Sequence, residues 1–340
     1  MIRIGIIGCG FMGGMHAACY RALESLGVAV TAVADGRAEF GQKLAAECGA
    51  AWFDDGMKLI ESDLVDAVDI CLPTYLHTSH AAAAMKAGKA VFVEKPVCIT
   101  ETDMALLQQI RQETGAALQV GHVVRFWPEY QWLKETKDAG TYGAFLCGSF
   151  RRLSPTPLWA SNGWLHKPEY SGGLAIDMHI HDVDFVRYLL GEPDHVAVSA
   201  YRDINGLIQE IYATYGYGDD VAVTLSAGWD YPNTFPFDAS FRVKFERAVV
   251  TLEKDRLTVY PSDGEPFCPD VETFDGDCQQ GGNVSSLGGY YNELKYFAEG
   301  LLGVHPLELA TLDDAIASVR LAKREVELVG GFVKTKEGAD

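Results

Sequence analysis

Over the first third of the chain, short unbroken apolar runs alternate with longer stretches whose apolar positions recur at helical spacing. The runs at 4–7, 28–34, 51–53, 67–72, 90–93 and 117–121 predict strands buried on both faces, as in a parallel sheet. Between them, helices are expected after Gly13 to Leu23, then over 37–48, 57–62, 78–87 and 100–114. Gly49 and Gly88 supply stops, and Thr100 with Asp103 forms a capping-box variant. Repeated strand–helix units of this length predict an α/β domain with a doubly wound parallel sheet, whose ligand site lies at the carboxyl ends of the strands.

Beyond residue 122 the pattern changes. After a crossover segment at 121–128, a helix is expected over 128–139 and a strand over 144–152. A loop rich in aromatics and prolines follows, then a single helix over 174–190. Six alternating or apolar runs come next, at 196–202, 207–217, 221–229, 239–245, 248–253 and 257–260, broken by turn signals such as Gly218-Asp219-Asp220. They predict a large, mostly antiparallel open sheet in an α+β domain. Two helices, 289–302 and 312–329, close the pattern. The expected organisation is therefore a first domain over 1–122, a second over 123–333 and a frayed tail over 334–340.

The first strand ends in Gly8-Cys9-Gly10-Phe11-Met12-Gly13, with G-x-G-x-x-G spacing. In a Rossmann domain the three glycines act differently. Gly8 turns tightly, Gly10 admits a pyrophosphate to the backbone, and Gly13 lets helix and strand pack closely. The following helix aims its free N–H groups and positive dipole end at the phosphates. The second strand ends at Asp35, near the offset at which an acid meets the adenine ribose. Strand, glycine loop, helix, strand and acid together predict NAD binding. A carboxylate repels the additional phosphate of NADP, but Arg37 can tolerate it, so NADP stays open.

The formal charge of −19 argues against nucleic acid or an anionic membrane surface as partner. No apolar run approaches the roughly 20 residues of a membrane span, and no leader-like amino terminus is seen, so a cytoplasmic enzyme is expected. Eight scattered cysteines (9, 19, 48, 71, 98, 147, 268 and 278) without a C-x-x-C pair suit reduced thiols. Cys9 reads either as a space filler or as a redox-sensitive thiol.

Two more strand ends carry chemistry. Pro73-Thr74 and His77 follow the fourth strand, either beside the nicotinamide or as an exposed helix start. Glu94-Lys95-Pro96 ends the fifth, and the proline restricts the lysine before it to an extended conformation. In the second half, Asp177 and His181 lie at i and i+4 on one helix face, and a neutral-range imidazole suits removal of a hydroxyl proton. His179 falls on the other side. A metal held by Asp177, His179 and His181 is disfavoured, because alternate residues do not share a helix face and no zinc motif is complete.

Three markers together resemble the Gfo/Idh/MocA oxidoreductases: the glycine loop, Val93-Glu94-Lys95-Pro96, and the stretch from Ser171-Gly172-Gly173 through Asp177 and His181 to Asp184. The resemblance covers nearly the whole chain, with His179 where many relatives carry glycine and Pro73-Thr74 where Thr-Pro is common. It implies an NAD(P)-dependent dehydrogenase acting on a CH–OH group of a sugar, sugar derivative or inositol, and a homodimer or homotetramer. Lys95 then favours the developing alkoxide and His181 takes the proton, with Asp177 binding substrate or tuning the imidazole. Trp159, Trp164 and Tyr170, and Trp229-Asp230-Tyr231, are candidates to stack on a sugar ring, or else core residues. Arg125, Arg151, Arg152 and His166 are candidate hydroxyl or carboxylate binders. Two other readings keep the fold: an NAD-retaining redox cycle that cleaves or epimerises glycosides, and a nucleotide or sugar sensor without turnover.

Overall fold

The computed structural model describes residues 1–157, 161–272, 274 and 288–329. Trp159, Cys278 and the tail at 334–340 lie outside the described residues. The chain does not divide at a single point near residue 122. One compact unit comprises Met1–Gln131, Glu169–Ser171 and the described part of Val271–Ala317; the other comprises Trp132–Pro168, Gly172–Asp270 and the described part of Ser318–Asp340.

In the first unit the apolar runs form β1 (Ile2–Ile7), β2 (Val28–Ala34), β3 (Ala51–Phe53), β4 (Ala67–Ile70), β5 (Ala90–Glu94) and β6 (Leu118–Gly121). They make one parallel sheet in the order β3-β2-β1-β4-β5-β6. Between them run α1 (Phe11–Ala22), α2 (Ala38–Cys48), α3 (Gly56–Ile60), α4 (His77–Lys86) and α5 (Glu101–Thr114). Gly49 and Gly115 end α2 and α5 in the left-handed conformation, and Thr100 Oγ1 accepts from the Asp103 N–H at 3.1 Å. The helix after the glycine loop begins at Phe11 rather than beyond Gly13, so Gly13 lies inside its first turn.

Along the chain follow α6 (Pro128–Asp138), β7 (Phe145–Pro155), α7 (Pro168–Ser171), α8 (Ile180–Leu190), β8 (His195–Arg202), β9 (Ile208–Tyr217), β10 (Val221–Tyr231), β11 (Asp238–Phe245), β12 (Ala248–Glu253), β13 (Arg256–Pro261), α9 (Gly288–Leu301) and α10 (Leu312–Leu328). In the second unit the order β13-β12-β11-β7-β10-β9-β8 gives a seven-stranded sheet, antiparallel except where β10 runs parallel to β7. Phe150 of β7 packs against Phe185 of α8 and Phe241 of β11, with ring centroids 5.9 and 5.8 Å apart.

Helix α9 explains why the boundary is not a single cut. Leu294, Phe297 and Ala298 are buried in the core of the first unit with Ile4, Ile6, Tyr20 and Phe92. Burying a leucine or phenylalanine side chain is worth roughly 1.5–3 kcal/mol each, enough to recruit a helix from far along the chain.

Candidate active site

The glycine loop is shaped by the space its neighbours leave. Gly8 has φ +99°, and a Cβ there would meet Cys71 O at 2.5 Å. A Cβ on Gly13 would fall on the Gly8 carbonyl, with Gly8 C at 3.0 Å and Ile6 Cγ2 at 3.3 Å. Gly10 differs: the nearest atom to its Cβ would be Arg37 Nη2, at 3.8 Å. Its missing side chain leaves open space instead of relieving a clash. Gly10 caps α1 and the first turn carries no acid, so no carboxylate of the helix's own sits at its positive end. That arrangement fits a pyrophosphate.

Asp35, at the end of β2, accepts from Cys9 N–H at 3.0 Å and Arg37 N–H at 2.8 Å, and its carboxylate pairs with the Arg37 guanidinium at 3.1 Å. Burial opposes its charge, but these donors outweigh burial and hold the carboxyl below the usual range. Arg37 also lies over the Phe40 ring, 4.1 Å from its centroid. Burial and the Asp35 charge push the Cys9 thiol up to about 12, which favours the space-filling reading.

At the next strand ends, Pro73 is half-buried and Thr74 is buried. His77 is buried too, which corrects the reading of an exposed helix start. Its Nδ1 lies 2.8 Å from Pro96 O and its Nε2 2.7 Å from Leu72 O. A neutral imidazole has one N–H and serves one of these carbonyls; only the protonated ring serves both. Burial is the larger influence and lowers its pKa. The ring lies between the carbonyls of Leu72 and of Pro96, whose peptide with Lys95 is cis. Lys95 itself is half-buried, and its backbone N–H donates to Glu94 Oε2 at 3.1 Å.

Glu94, expected beside the cofactor, points its carboxylate inward. Its Oε1 lies 3.2 Å from His16 Nε2, and His16 Nδ1 lies 2.8 Å from Asp69 Oδ2. Cys71 Sγ is 3.3 Å from both His16 Nδ1 and Asp69 Oδ1. Glu293 of α9 completes the group, with ligand-type atoms of His16, Glu94 and Glu293 all within 4.8 Å of one another. Sequence reasoning missed His16, Asp69 and Glu293. An acid within the apolar run of β4 was a signal for Asp69; Glu293 had none.

In the second unit the expected single helix is interrupted. Ala175–His179 forms one π-helical turn that leads into α8. Such turns recur at functional sites because the local expansion re-aims side chains. Asp177 lies in this turn and His181 in the first turn of α8, and both are half-buried. The neighbouring polar residues face inward. His179 Nε2 lies 3.1 Å from Glu325 Oε2, and Tyr215 donates to Glu325 Oε1 at 2.5 Å. Asp182 takes both the Nε and the Nη2 of Arg152, at 2.9 and 3.1 Å. Asp184 accepts from Ser318 at 2.7 Å. Three buried polar contacts therefore fix the segment that carries Asp177 and His181.

Residues 2–122 match the oxidoreductase family with an NAD-binding Rossmann fold, and residues 130–254 match the GFO/IDH/MocA C-terminal domain. The chain belongs to the Gfo/Idh/MocA oxidoreductase family. It is similar to the scyllo-inositol 2-dehydrogenase (NAD(+)) of Bacillus subtilis strain 168, with 31% identity over 80% of this chain and 81% of the relative. It is also similar to the myo-inositol 2-dehydrogenase of Thermotoga maritima, with 30% identity over 79% and 76%. A solved levoglucosan dehydrogenase in complex with NADH and levoglucosan shares the fold, with a TM-score of 0.83, 18% identity and 97% coverage of both chains. The protein is thus an NAD-binding oxidoreductase.

Within this Gfo/Idh/MocA chain the expected substrate residues divide. Arg125 is 4% exposed and paired with Asp314 at 3.2 Å, and Arg152 is neutralised by Asp182, so both arginines are already compensated in the interior. Arg151 pairs with Asp238 at the surface. Trp229 is buried and donates to Gln209 at 2.9 Å, which makes it core rather than a stacking platform. Trp164 and His166 are half-buried in the turn Ser161–His166, and the His166 ring lies 5.7 Å from that of Trp229. Tyr170 is 40% exposed, with its ring 4.8 Å from that of Tyr75. None of these last three is fully buried.

Proposed function

We propose that this protein oxidises a secondary alcohol of an inositol, sugar or sugar derivative, using NAD in preference to NADP. The cofactor half of the reading is carried by one observation: an acid-free helix start behind Gly10, with the Asp35 carboxylate at the end of the neighbouring strand. The substrate class is supported by relatives named as inositol 2-dehydrogenases and by the levoglucosan dehydrogenase of the same fold.

Gly8, Gly10, Phe11, Met12 and Gly13 would hold the pyrophosphate, Asp35 and Arg37 the adenine ribose, and Pro73, Thr74 and the backbone around Glu94 and Lys95 the nicotinamide end. When bound, NAD supplies the acceptor for the substrate's C–H hydrogen and its electron pair. Lys95 lowers the cost of the negative charge that develops on the substrate oxygen. His181 takes the hydroxyl proton on a neutral ring nitrogen. Asp177 hydrogen-bonds the substrate or stabilises the imidazolium that results. His77 and Glu94 keep the Lys95 segment in place.

We further propose that the protein works in the cytoplasm as a homodimer or homotetramer. Seven free cysteines among the described residues suit a reducing compartment, and exposed Tyr201 and Tyr212 on the second sheet suit self-association. No helix among the described residues is long and apolar enough to cross a membrane. Sedimentation would test the assembly; a monomer at micromolar concentration would refute it.

The functional test follows NAD reduction by absorbance against inositols, aldoses, sugar acids and simple glycosides, with NADP alongside. Turnover with one ring class supports the reading and names the substrate. Silence throughout, with NAD still tightly bound, would replace it with a closed redox cycle or a sensor.

A further inference from the structure

Glu293 presents an unusual problem of charge. It is fully buried, and neither of its carboxyl oxygens finds a hydrogen-bond partner among the described residues. What it faces from the surrounding elements is mainly acidic. Glu94 comes from β5 and Asp69 from β4, with the Cys71 thiol just beyond it. The His16 imidazole comes from α1. The Gln119 amide of β6 donates to the backbone oxygen of Glu293 at 3.2 Å, not to its side chain.

The hydrogen bonds decide where the protons are. An ionised Asp69 can only accept, so His16 Nδ1 carries a proton at 2.8 Å from it. His16 Nε2 lies 3.2 Å from Glu94 Oε1, and neither atom has a hydrogen-bond partner among the described residues, so a proton on Nε2 is the form that suits this second carboxylate. His16 is then an imidazolium between two carboxylates, and a charged Glu293 would add an uncompensated negative charge to a dry interior. Burial, and then the nearby Glu94 charge, push the Glu293 carboxyl well up. Burial opposes the His16 charge, but Asp69 and Cys71 raise it overall, and His16 holds Glu94 low against burial. A proton on Glu293 lowers the cost of holding two glutamate carboxyls within 4.8 Å of each other.

We propose that Glu293 is a positioning residue for Lys95: it remains a neutral carboxylic acid and lends its proton to holding Glu94 under the Lys95 backbone. Glu94 Oε2 accepts the Lys95 N–H at 3.1 Å while Oε1 is directed at His16 and Glu293. Oε1 has no hydrogen-bond partner among the described residues; a proton on Glu293 supplies it with one, which anchors the backbone that presents the lysine to α9. This inference rests on the reading of Lys95 as the group beside the reacting oxygen.

The test compares Glu293→Ala with Glu293→Gln, whose amide is neutral, similar in shape and able to donate to Glu94. Glu293→Ala should lower kcat by about tenfold or more while substrate KM and NAD affinity hold, and Glu293→Gln should restore most of the loss. The wild-type protein without cofactor should show the infrared carbonyl band of a protonated carboxylic acid at neutral pH, absent from Glu293→Gln. Should Glu293→Ala fail to fold, the infrared band and the kcat of Glu293→Gln still decide. The proposal is overturned if Glu293→Gln loses as much turnover as Glu293→Ala, if the band is missing, or if purified protein carries one divalent metal ion per chain. Lys95→Met, run in parallel, separates the two failures. Normal turnover in that variant refutes the role of Lys95, whereas its inactivity beside a fully active Glu293→Ala refutes the positioning role alone.

Discussion

Replacing Gly10 and Gly13 in turn with alanine separates cofactor binding from packing within a single loop. At Gly10 the backbone is extended (φ −77°, ψ −154°), and a Cβ meets nothing nearer than Arg37 Nη2 at 3.8 Å. The fold should lose only the difference between glycine and alanine at a helix cap, about 1 kcal/mol or less. That corresponds to a drop in Tm of about 2–4 °C. The new methyl group occupies the approach to the start of α1. Losing one charge-assisted hydrogen bond at about 1.5–3 kcal/mol raises the Kd for NAD by roughly 10- to 100-fold. Gly13→Ala behaves differently, because its Cβ meets the Gly8 carbonyl, which is backbone and cannot swing aside. The cost should reach about 3 kcal/mol, the upper end for overpacking, with a fall in Tm of about 6–12 °C even without cofactor. Calorimetric NAD titration and thermal melts of both variants check this. Unchanged NAD affinity in Gly10→Ala would remove the loop from the cofactor site, and a wild-type Tm for Gly13→Ala would refute the packing argument.

The other predictions concern charge. Lys95→Met and His181→Ala should each lose turnover by orders of magnitude while NAD affinity barely changes; near-normal rates in either would sink its catalytic role. Asp35→Ser should shift the preference toward NADP by about tenfold or more, since a charge close to the extra phosphate disappears and Arg37 remains; an unchanged Kd ratio takes Asp35 out of the ribose site. Asp182→Ala removes both hydrogen bonds that the buried Arg152 guanidinium makes to it and should cost about 3–5 kcal/mol, whereas replacing both with apolar residues of similar volume should cost far less; equal melting points for the single and double variants would contradict this. Stability should be greatest near the ordinary carboxylate range, on the acid side of neutrality, and fall on both sides of it. His16 and Glu293 have raised values in the folded state, so their contribution is full below the ordinary histidine and glutamate ranges and is lost as pH rises. Asp35 and Glu94 are held low, so theirs is present above the ordinary carboxylate range and is lost as pH falls. Melts against pH should show this dome, and Glu293→Gln should flatten its alkaline side.

Much of the architecture was legible because its signals are local. Strands β2 and β3 begin and end where the apolar runs do, and Gly49 ends α2 as its position in the pattern implied. The shape of the glycine loop was legible too, because a strand, a turn and a helix in succession leave little freedom in how they are arranged. Elsewhere local reasoning ran short. The period of 174–190 is that of any helix, and the π-helical turn at Ala175–His179 depends on what packs around it. His77 and Arg125 carry polar groups that suit a ligand, yet the fold turns them to internal partners, Pro96 and Leu72 for one and Asp314 for the other.

By itself the sequence determined the parallel and antiparallel sheets, the cofactor loop and the types of group available for catalysis, since each is written in spacings of a few residues. Only the tertiary structure decided which polar groups share an interior. His16, Asp69, Glu94 and Glu293 meet because β1 lies beside β4, β4 beside β5, and α9 folds back over that sheet. Protonation in such a cluster depends on distance and desolvation, quantities that exist only once distant parts of the chain have been brought together.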